Sequence, residues 1–281
     1  MRMKKMSRLL CVTLLIVTMF TASSFAAEVS EERQFADSSV YENTFSYEAE
    51  LYEEMLGLSE SQIMKLYNDF LIYNMRQTDI TVVNENSLEV FAEYAVSQGV
   101  IEDTPEQRAA ITKALVRTSL SLAASDAETI GLTTASACLR HSLQDNPVDV
   151  SIQSDNPISA QVKKSAACKN IISNFKNKAK NQSGSSLKIS GSTTLNNSLD
   201  LTLAFNRVSY VASGTKNSNG KWTLKITFKD TYDFDNDKWT DVNGLKANTI
   251  NLLNSYGKYA ESIGAVVPYD INVIVKTTFT E

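Results

Sequence analysis

The sequence predicts an α+β protein, an N-terminal helical region followed by a mostly antiparallel sheet with one or two packed helices. Three observations lead there. Apolar residues recur at helical spacing through residues 47–145, and from residue 187 onward they alternate with polar ones at period two. One helical stretch, 245–263, then interrupts the strand texture. Helices first and strands afterwards, with a single crossing helix, give an α+β chain rather than an alternating α/β one.

The first residues set the compartment. Arg2, Lys4, Lys5 and Arg8 form a basic cluster, residues 9–20 are apolar, and Ser24-Phe25-Ala26 places small residues where a signal peptidase reads. The pattern predicts a signal peptide over 1–26, cleaved after Ala26. The apolar run is short for a membrane anchor, and no later stretch is long and apolar enough to span. The expected product is exported, secreted or held in the cell envelope. Residues 27–46 are acidic and weakly periodic and read as a poorly ordered leader. The helical region then covers 47–145, a linker 146–159, and an α+β domain 160–281.

Charge is unevenly spread. The whole chain carries −5, but four of its 27 basic residues and none of its acids lie in the signal peptide, so the mature charge is −9. Residues 27–60 hold ten acids and one base, Arg33, whereas 156–199 hold seven lysines and no acid. Two readings stand: solvated faces that attract each other weakly, or a basic surface for an anionic ligand. An acidic exported chain without an aromatic-basic motif argues against nucleic acid as a partner. Cys138 and Cys168 remain after processing. Export permits a disulfide between them, and buried free thiols are the alternative.

The helices follow from their caps and stripes. Residues 47–56 read as a helix stopped by Gly57. Ser59 with Gln62 is a capping box, followed by an Ile63, Leu66, Tyr67, Phe70, Leu71 stripe. Ser87 starts a helix that ends at Gly99. Thr104-Pro105-Glu106-Gln107 is the strongest start signal, and Ile111, Leu115, Thr118 and Leu122 continue it. A further helix is expected from about Asp126 to Leu143. Residues 148–152 read as a short strand, and Ser159 as the cap of one lysine-rich helix reaching Lys180.

The strands read by alternation: 187–195, then a long one over 199–215 with a bend near Asn206-Arg207 where the parity changes. Asn217-Ser-Asn-Gly220 is a hairpin turn into 221–230. The 245–263 helix carries a narrow Gly257, Ala260, Gly264 seam that suits close packing on a sheet. Residues 269–279 form the last strand.

The chemistry concentrates at the end of strand 221–230. Trp222, Leu224, Ile226 and Phe228 point one way, so Asp230 and Tyr232 fall on the core face. Carboxylates fixed at a strand end and partly desolvated are suited to holding a cation or moving a proton. Asp230-x-Tyr232-Asp233 resembles the Asp-x-Tyr-Asp signature of the colicin M family. Its members are bacteriocins that split the lipid-linked peptidoglycan precursor between lipid and pyrophosphate. The resemblance implies a C-terminal catalytic domain with an open, barrel-like sheet that depends on a divalent cation. In it Asp230 and Asp233 hold or orient the cation and water, and Tyr232 supports them. The family's downstream His-Arg pair is replaced here by Lys238 and Trp239. Arg207, at the predicted bend of a neighbouring strand, and Lys238 are then the candidate phosphate contacts.

The same run permits a second reading. Asp233, Asp235, Asp237 and Asp241 stand at calcium-loop positions 1, 3, 5 and 9. Lys238 takes the place of the turn glycine and Gly244 that of the bidentate Glu. An irregular Ca²⁺ loop and a plain acidic turn are the alternatives. The expectation is therefore an exported domain binding Mg²⁺ or Ca²⁺. Its partner is a lipid-linked cell-wall precursor or another anionic ligand, and its activity that of a metal-dependent phosphoesterase. A non-enzymatic secreted binding protein is the alternative. No Ser or Cys nucleophile motif is present, and the single histidine, His141, reads as a helix residue near a C-terminus.

Overall fold

Helical caps and strand alternation reappear in the computed structural model, which describes residues 44–45, 56–77, 87–234 and 247–280. Among them are eight helices and one five-stranded sheet, and the fold is α+β. The predicted signal peptide, most of the acidic leader and the 47–55 helix lie outside the described residues. No described helix is long and apolar enough to cross a membrane.

The helical part begins with α1, Glu60–Gln77, entered through the predicted capping box: the Ser59 amide donates to Gln62 Oε1 at 2.7 Å. α2, Ser87–Ser97, stops where Gly99 takes φ 68°. α3, Pro105–Thr129, starts as predicted, with Thr104 Oγ1 accepting from the Gln107 amide at 3.2 Å. Ile63, Phe70, Phe91, Ile111 and Leu115 close the core between these three helices.

The boundary expected near Asp126 falls later. α3 runs on to Thr129, and α4 is Thr133–Ser142. Gly131 at φ 88° makes the break, with the Leu132 amide bonded to the Ala127 carbonyl and the Gly131 amide to that of Glu128. This is a Schellman stop, which only a left-handed residue permits. The apolar periodicity ran across it.

After β1, Val150–Ile152, the single lysine-rich helix expected from Ser159 is two helices. α5, Pro157–Lys164, is capped by Asn156, and α6, Ala166–Lys180, by Ser165. Ser159 is buried inside α5 instead of capping it. β2 is Ser186–Thr194 and β3 Arg207–Lys216. Between them, residues read as the first part of a strand form α7, Leu199–Ala204. Ser198 Oγ accepts from the Leu201 amide at 3.2 Å, a local start signal that the alternation of Leu201, Leu203 and Phe205 masked. The predicted bend is the helix-to-strand turn, where Asn206 sits at φ 36°.

β4, Lys221–Tyr232, follows the predicted hairpin, and α8, Ala247–Ser262, and β5, Tyr269–Thr280, complete the chain. The sheet order is β1-β5-β4-β3-β2, antiparallel except for the parallel β1–β5 pair. α4, α5 and α6 supply the buried residues packed on its inner face, among them Cys138, Val162 and Phe175. Trp222 is fully buried there. A side chain of that size takes on the order of 200 Å² out of water, which stabilises by about 5 kcal/mol. The seam on α8 does not meet the sheet. Ala260 and Tyr256 join the core of the first three helices, and Gly257 is covered by Phe234. Cys138 and Cys168 are both buried free thiols, so the disulfide left open by the sequence is not formed in this structure.

Arg117 ties the two ends of the chain together. From the middle of α3 its Nε donates to the Ala265 carbonyl at 3.0 Å and one Nη to that of Gly264 at 3.1 Å. The same nitrogen pairs with Asp145 at 2.7 Å, and Lys113 reaches that carboxylate at 2.6 Å. Burial works to raise the Asp145 pKa, but the hydrogen bonds and charges of Arg117 and Lys113 outweigh it and hold the carboxyl below its ordinary value.

Two predictions follow from this packing. A Cβ on Gly214 would stand 2.7 Å from the Phe175 ring and 3.1 Å from the Thr223 carbonyl, so Gly214→Ala should cost roughly 1–3 kcal/mol in urea unfolding. Asp145→Asn strands the buried Arg117 charge and should cost about 1–3 kcal/mol near neutral pH, below the fully buried case because Asp145 is partly solvated. A depressed folded pKa gives stability above the ordinary carboxylate value and loses it as pH falls, so the gap between wild type and variant should close in acid.

Candidate functional site

The alternation of β4 holds to its last residue. Trp222, Leu224, Ile226 and Phe228 are buried, Asp230 is half-buried on the same face, and Tyr232 is 8% exposed. Asp230 lies opposite Ile271 and Tyr232 opposite Tyr269. Asp233 stands just beyond the strand and is exposed. Thus the parity expected from the sequence places Asp230 and Tyr232 together and leaves Asp233 at the rim.

Beneath them is an aromatic stack. The Tyr232 and Tyr269 rings are 5.7 Å apart, and Tyr269 meets the His141 ring edge-on at 4.4 Å. The Tyr269 hydroxyl donates to the Cys138 carbonyl at 3.1 Å. Burial pushes both phenols well above their ordinary value, so they stay protonated. Burial likewise raises the Cys138 thiol, and the charges of Asp200 and Asp230 add to the rise. That thiol is no nucleophile. Cys168 is pushed up to about 11, mainly by burial.

His141 lies far upstream of the acidic run in the sequence, and the fold brings its ring against Tyr269. Its Nε2 lies 2.8 Å from the Val148 carbonyl, which only accepts, so Nε2 is the donor; Nδ1 accepts from the Gln144 amide at 3.0 Å. Both ring nitrogens are therefore occupied, and the ring is buried.

A cleft of about 190 Å³ opens beside Asp230. Its lining includes Asp230, Tyr232, Asp233 and Arg207 together with the apolar Leu120, Ala123, Leu203, Phe205, Ile250 and Leu253. Arg207 begins β3 and, by continuation of the register, faces Thr231 on the outer side of the sheet. It also lines a polar hollow of about 400 Å³ with Ser209, Lys229, Asp230, Asp270 and Asn272. Arg207 and Asp230 are thus both in the lining of the cleft and of the hollow, although the register sets Arg207 on the outer face and Asp230 on the inner one.

Among the described residues no three His, Cys, Asp or Glu side chains form a metal-holding group. Asp230 and Asp233 offer two hard oxygen donors. Mg²⁺ is commonly held by one or two carboxylates together with substrate phosphates, and this donor set fits that mode better than an all-protein cage. Asp235, Asp237, Lys238 and Asp241, the rest of the predicted acidic site, lie outside the described residues.

The sequence reading missed Asp200. It is 7% exposed, on α7, and its Oδ1 accepts from the Ala135 amide at 2.9 Å. The N-cap of α4 is Leu132, which has no side-chain cap to offer, so Asp200 caps the helix from another element. The signal available was Ser198 two residues before Asp200, but it points to α7 and not to α4.

No family model and no curated protein sequence matches the chain. In structure it is similar to colicin M-like bacteriocins. PaeM of Pseudomonas aeruginosa aligns with TM-score 0.34 at 13% identity, covering 90% of this chain and 99% of its own. Syringacin M of Pseudomonas syringae pv. tomato DC3000 aligns at 0.32 and 18% identity, covering 69% and 72% respectively. A truncated form of it gives 0.30 and 15%, covering 78% and 96%. The chemistry of the cleft rests on its own residues.

Asp200 carries the testable consequence of this geometry. Burial raises its pKa, partly offset by the amides it caps. A raised carboxyl binds its proton more tightly in the folded state, so stability should fall as pH rises from the ordinary carboxylate value toward the raised one. Asp200→Asn keeps an acceptor and should abolish that fall, while Asp200→Ala should lose about 1–2 kcal/mol. Thermal midpoints across acid to neutral pH read both; a wild-type pH slope unchanged in Asp200→Asn would refute the assignment.

Proposed function

We propose that the chain is an exported, divalent-cation-dependent hydrolase of a lipid-linked pyrophosphate. The observation that carries this reading is the cleft whose lining divides between apolar side chains and the charged Asp230, Asp233 and Arg207. An amphiphile with a hydrocarbon tail and an anionic head matches that division. The Asp230-x-Tyr232-Asp233 pattern at the strand end, which resembles the colicin M signature, supports the same class of substrate.

The roles follow from the residues. The apolar walls hold the start of the isoprenoid chain and exclude water from it. The Arg207 guanidinium, always charged, donates to phosphate oxygens. Asp230 and Asp233 are the carboxylates that would hold the cation, which when bound neutralises charge on the pyrophosphate. With His141 closed off at both ring nitrogens, a carboxylate oxygen of Asp230 is the base that takes the proton of the water attacking phosphorus; the bond from phosphorus to the isoprenoid oxygen breaks, and the proton held by Asp230 passes to the departing alkoxide. Tyr232, on the same face of the strand, packs against Tyr269 and so anchors the strand end that carries Asp230.

The closed histidine also favours a second reading, a secreted domain that binds such a ligand without turning it over. Incubating the mature protein with a polyprenyl-pyrophosphate and Mg²⁺ separates the two. Turnover should fall by about 100-fold or more in Asp230→Ala and in Asp233→Ala. Wild-type rates in both variants sink the catalytic assignment, and tight binding with no wild-type turnover establishes the binding domain instead.

A further inference from the structure

We infer that the open face of the sheet is a docking surface for an anionic lipid bilayer. The registers assign every side chain of β2 to β5 to one face or the other. The inner face is apolar except at its ends, where Lys216 and Asp230 stand. The outer face carries Lys188, Arg207, Lys221, Lys225, Lys229 and Lys276, all exposed, set among Ser and Thr with Asn272, Val211 and a buried Ile274. The one acidic side chain in its rows is Asp270, which accepts from the Thr231 hydroxyl at 2.7 Å. Among the described residues none of the six cations is in an ion pair. A basic face on a chain of net charge −5 is a segregation of charge, not an average of it.

The arrangement is unfavourable for the folded chain alone. Lys225 and Lys276 are direct cross-strand partners, and Ser213 places Lys188 in the same row. Like charges directly opposite one another destabilise a sheet. An anionic surface reverses the sign of that interaction. The cations are also spread over four strands, an area roughly 15 Å across at the usual strand spacing, and not along a groove. A plane of charge matches a planar partner better than it matches a single polymer strand.

Docking in this orientation has a geometric consequence. Arg207, Asp230 and Thr231 line both the apolar cleft and the polar hollow on the outer face. The cleft therefore opens toward the edge of the surface that meets the bilayer. The docking stands without the catalytic reading, since none of the lysines tested below lines the cleft.

Co-sedimentation tests it, with phosphatidylglycerol–phosphatidylcholine vesicles beside phosphatidylcholine alone, at low and high salt. The mature chain should bind only the anionic vesicles and release as salt rises. Lys188→Gln/Lys225→Gln/Lys276→Gln should weaken binding by about 100-fold, at roughly 1 kcal/mol per lysine. The Lys→Arg triple at the same positions should bind as wild type, and Lys169→Gln/Lys178→Gln/Lys180→Gln on α6 should retain binding. The thermal midpoint of the sheet triple should not fall, because the opposed pair is gone. Equal binding to both vesicle types, an unweakened sheet triple, equal loss in the α6 triple, or stronger binding to a soluble polyanion than to vesicles would overturn the inference. Loss of turnover with docking intact would instead concern the cleft.

Discussion

Strand β4 is paired on both sides, and its alternation is unbroken from Lys221 to Tyr232. A one-residue slip would carry Trp222, Leu224, Ile226 and Phe228 into solvent and three lysines into the core. The register is therefore locked by burial on one face and charge on the other. Asp230 and Tyr232 inherit their position from that lock. So do Lys225 and Lys229 on the opposite side. The candidate site and the basic surface are two outcomes of the same constraint.

Two buried polar groups extend that order to the helices. Arg117 carries α3 to the carbonyls that follow α8, where helix ends leave acceptors unsatisfied and favour positive charge. Asp200 does the converse, bringing a carboxylate from α7 to the amides that open α4. Each satisfies a helix terminus from a distant part of the chain. Each also fixes an element that borders the cleft. α3 supplies Leu120 and Ala123 to its wall, and α7 supplies Leu203.

The cleft joins groups that chemistry uses together: carboxylates, a guanidinium and an apolar wall. The rings of Tyr232, Tyr269 and His141 pack together on the core side of the strand end that carries Asp230. The phenols are held protonated by burial, and the imidazole is hydrogen-bonded at both nitrogens.

Local signals were legible in the sequence where a residue's role depends on its neighbours in the chain. The Ser59 and Thr104 caps, the 217–220 hairpin and the faces of β4 and β5 are of this kind, as is the sharing of one face by Asp230 and Tyr232. Misreadings arose where two local patterns competed. Leu201, Leu203 and Phe205 alternate as a strand would, yet Ser198 starts a helix there. The stripe through 126–143 crosses Gly131, whose left-handed backbone ends α3. What only the tertiary structure decided was which distant groups meet: Asp200 with α4, Arg117 with Gly264 and Ala265, and His141 with Tyr269; it also decided that Arg207 and Asp230 line one cleft. Periodicity fixes which way a side chain points, but the partner it meets is set by how separate elements pack.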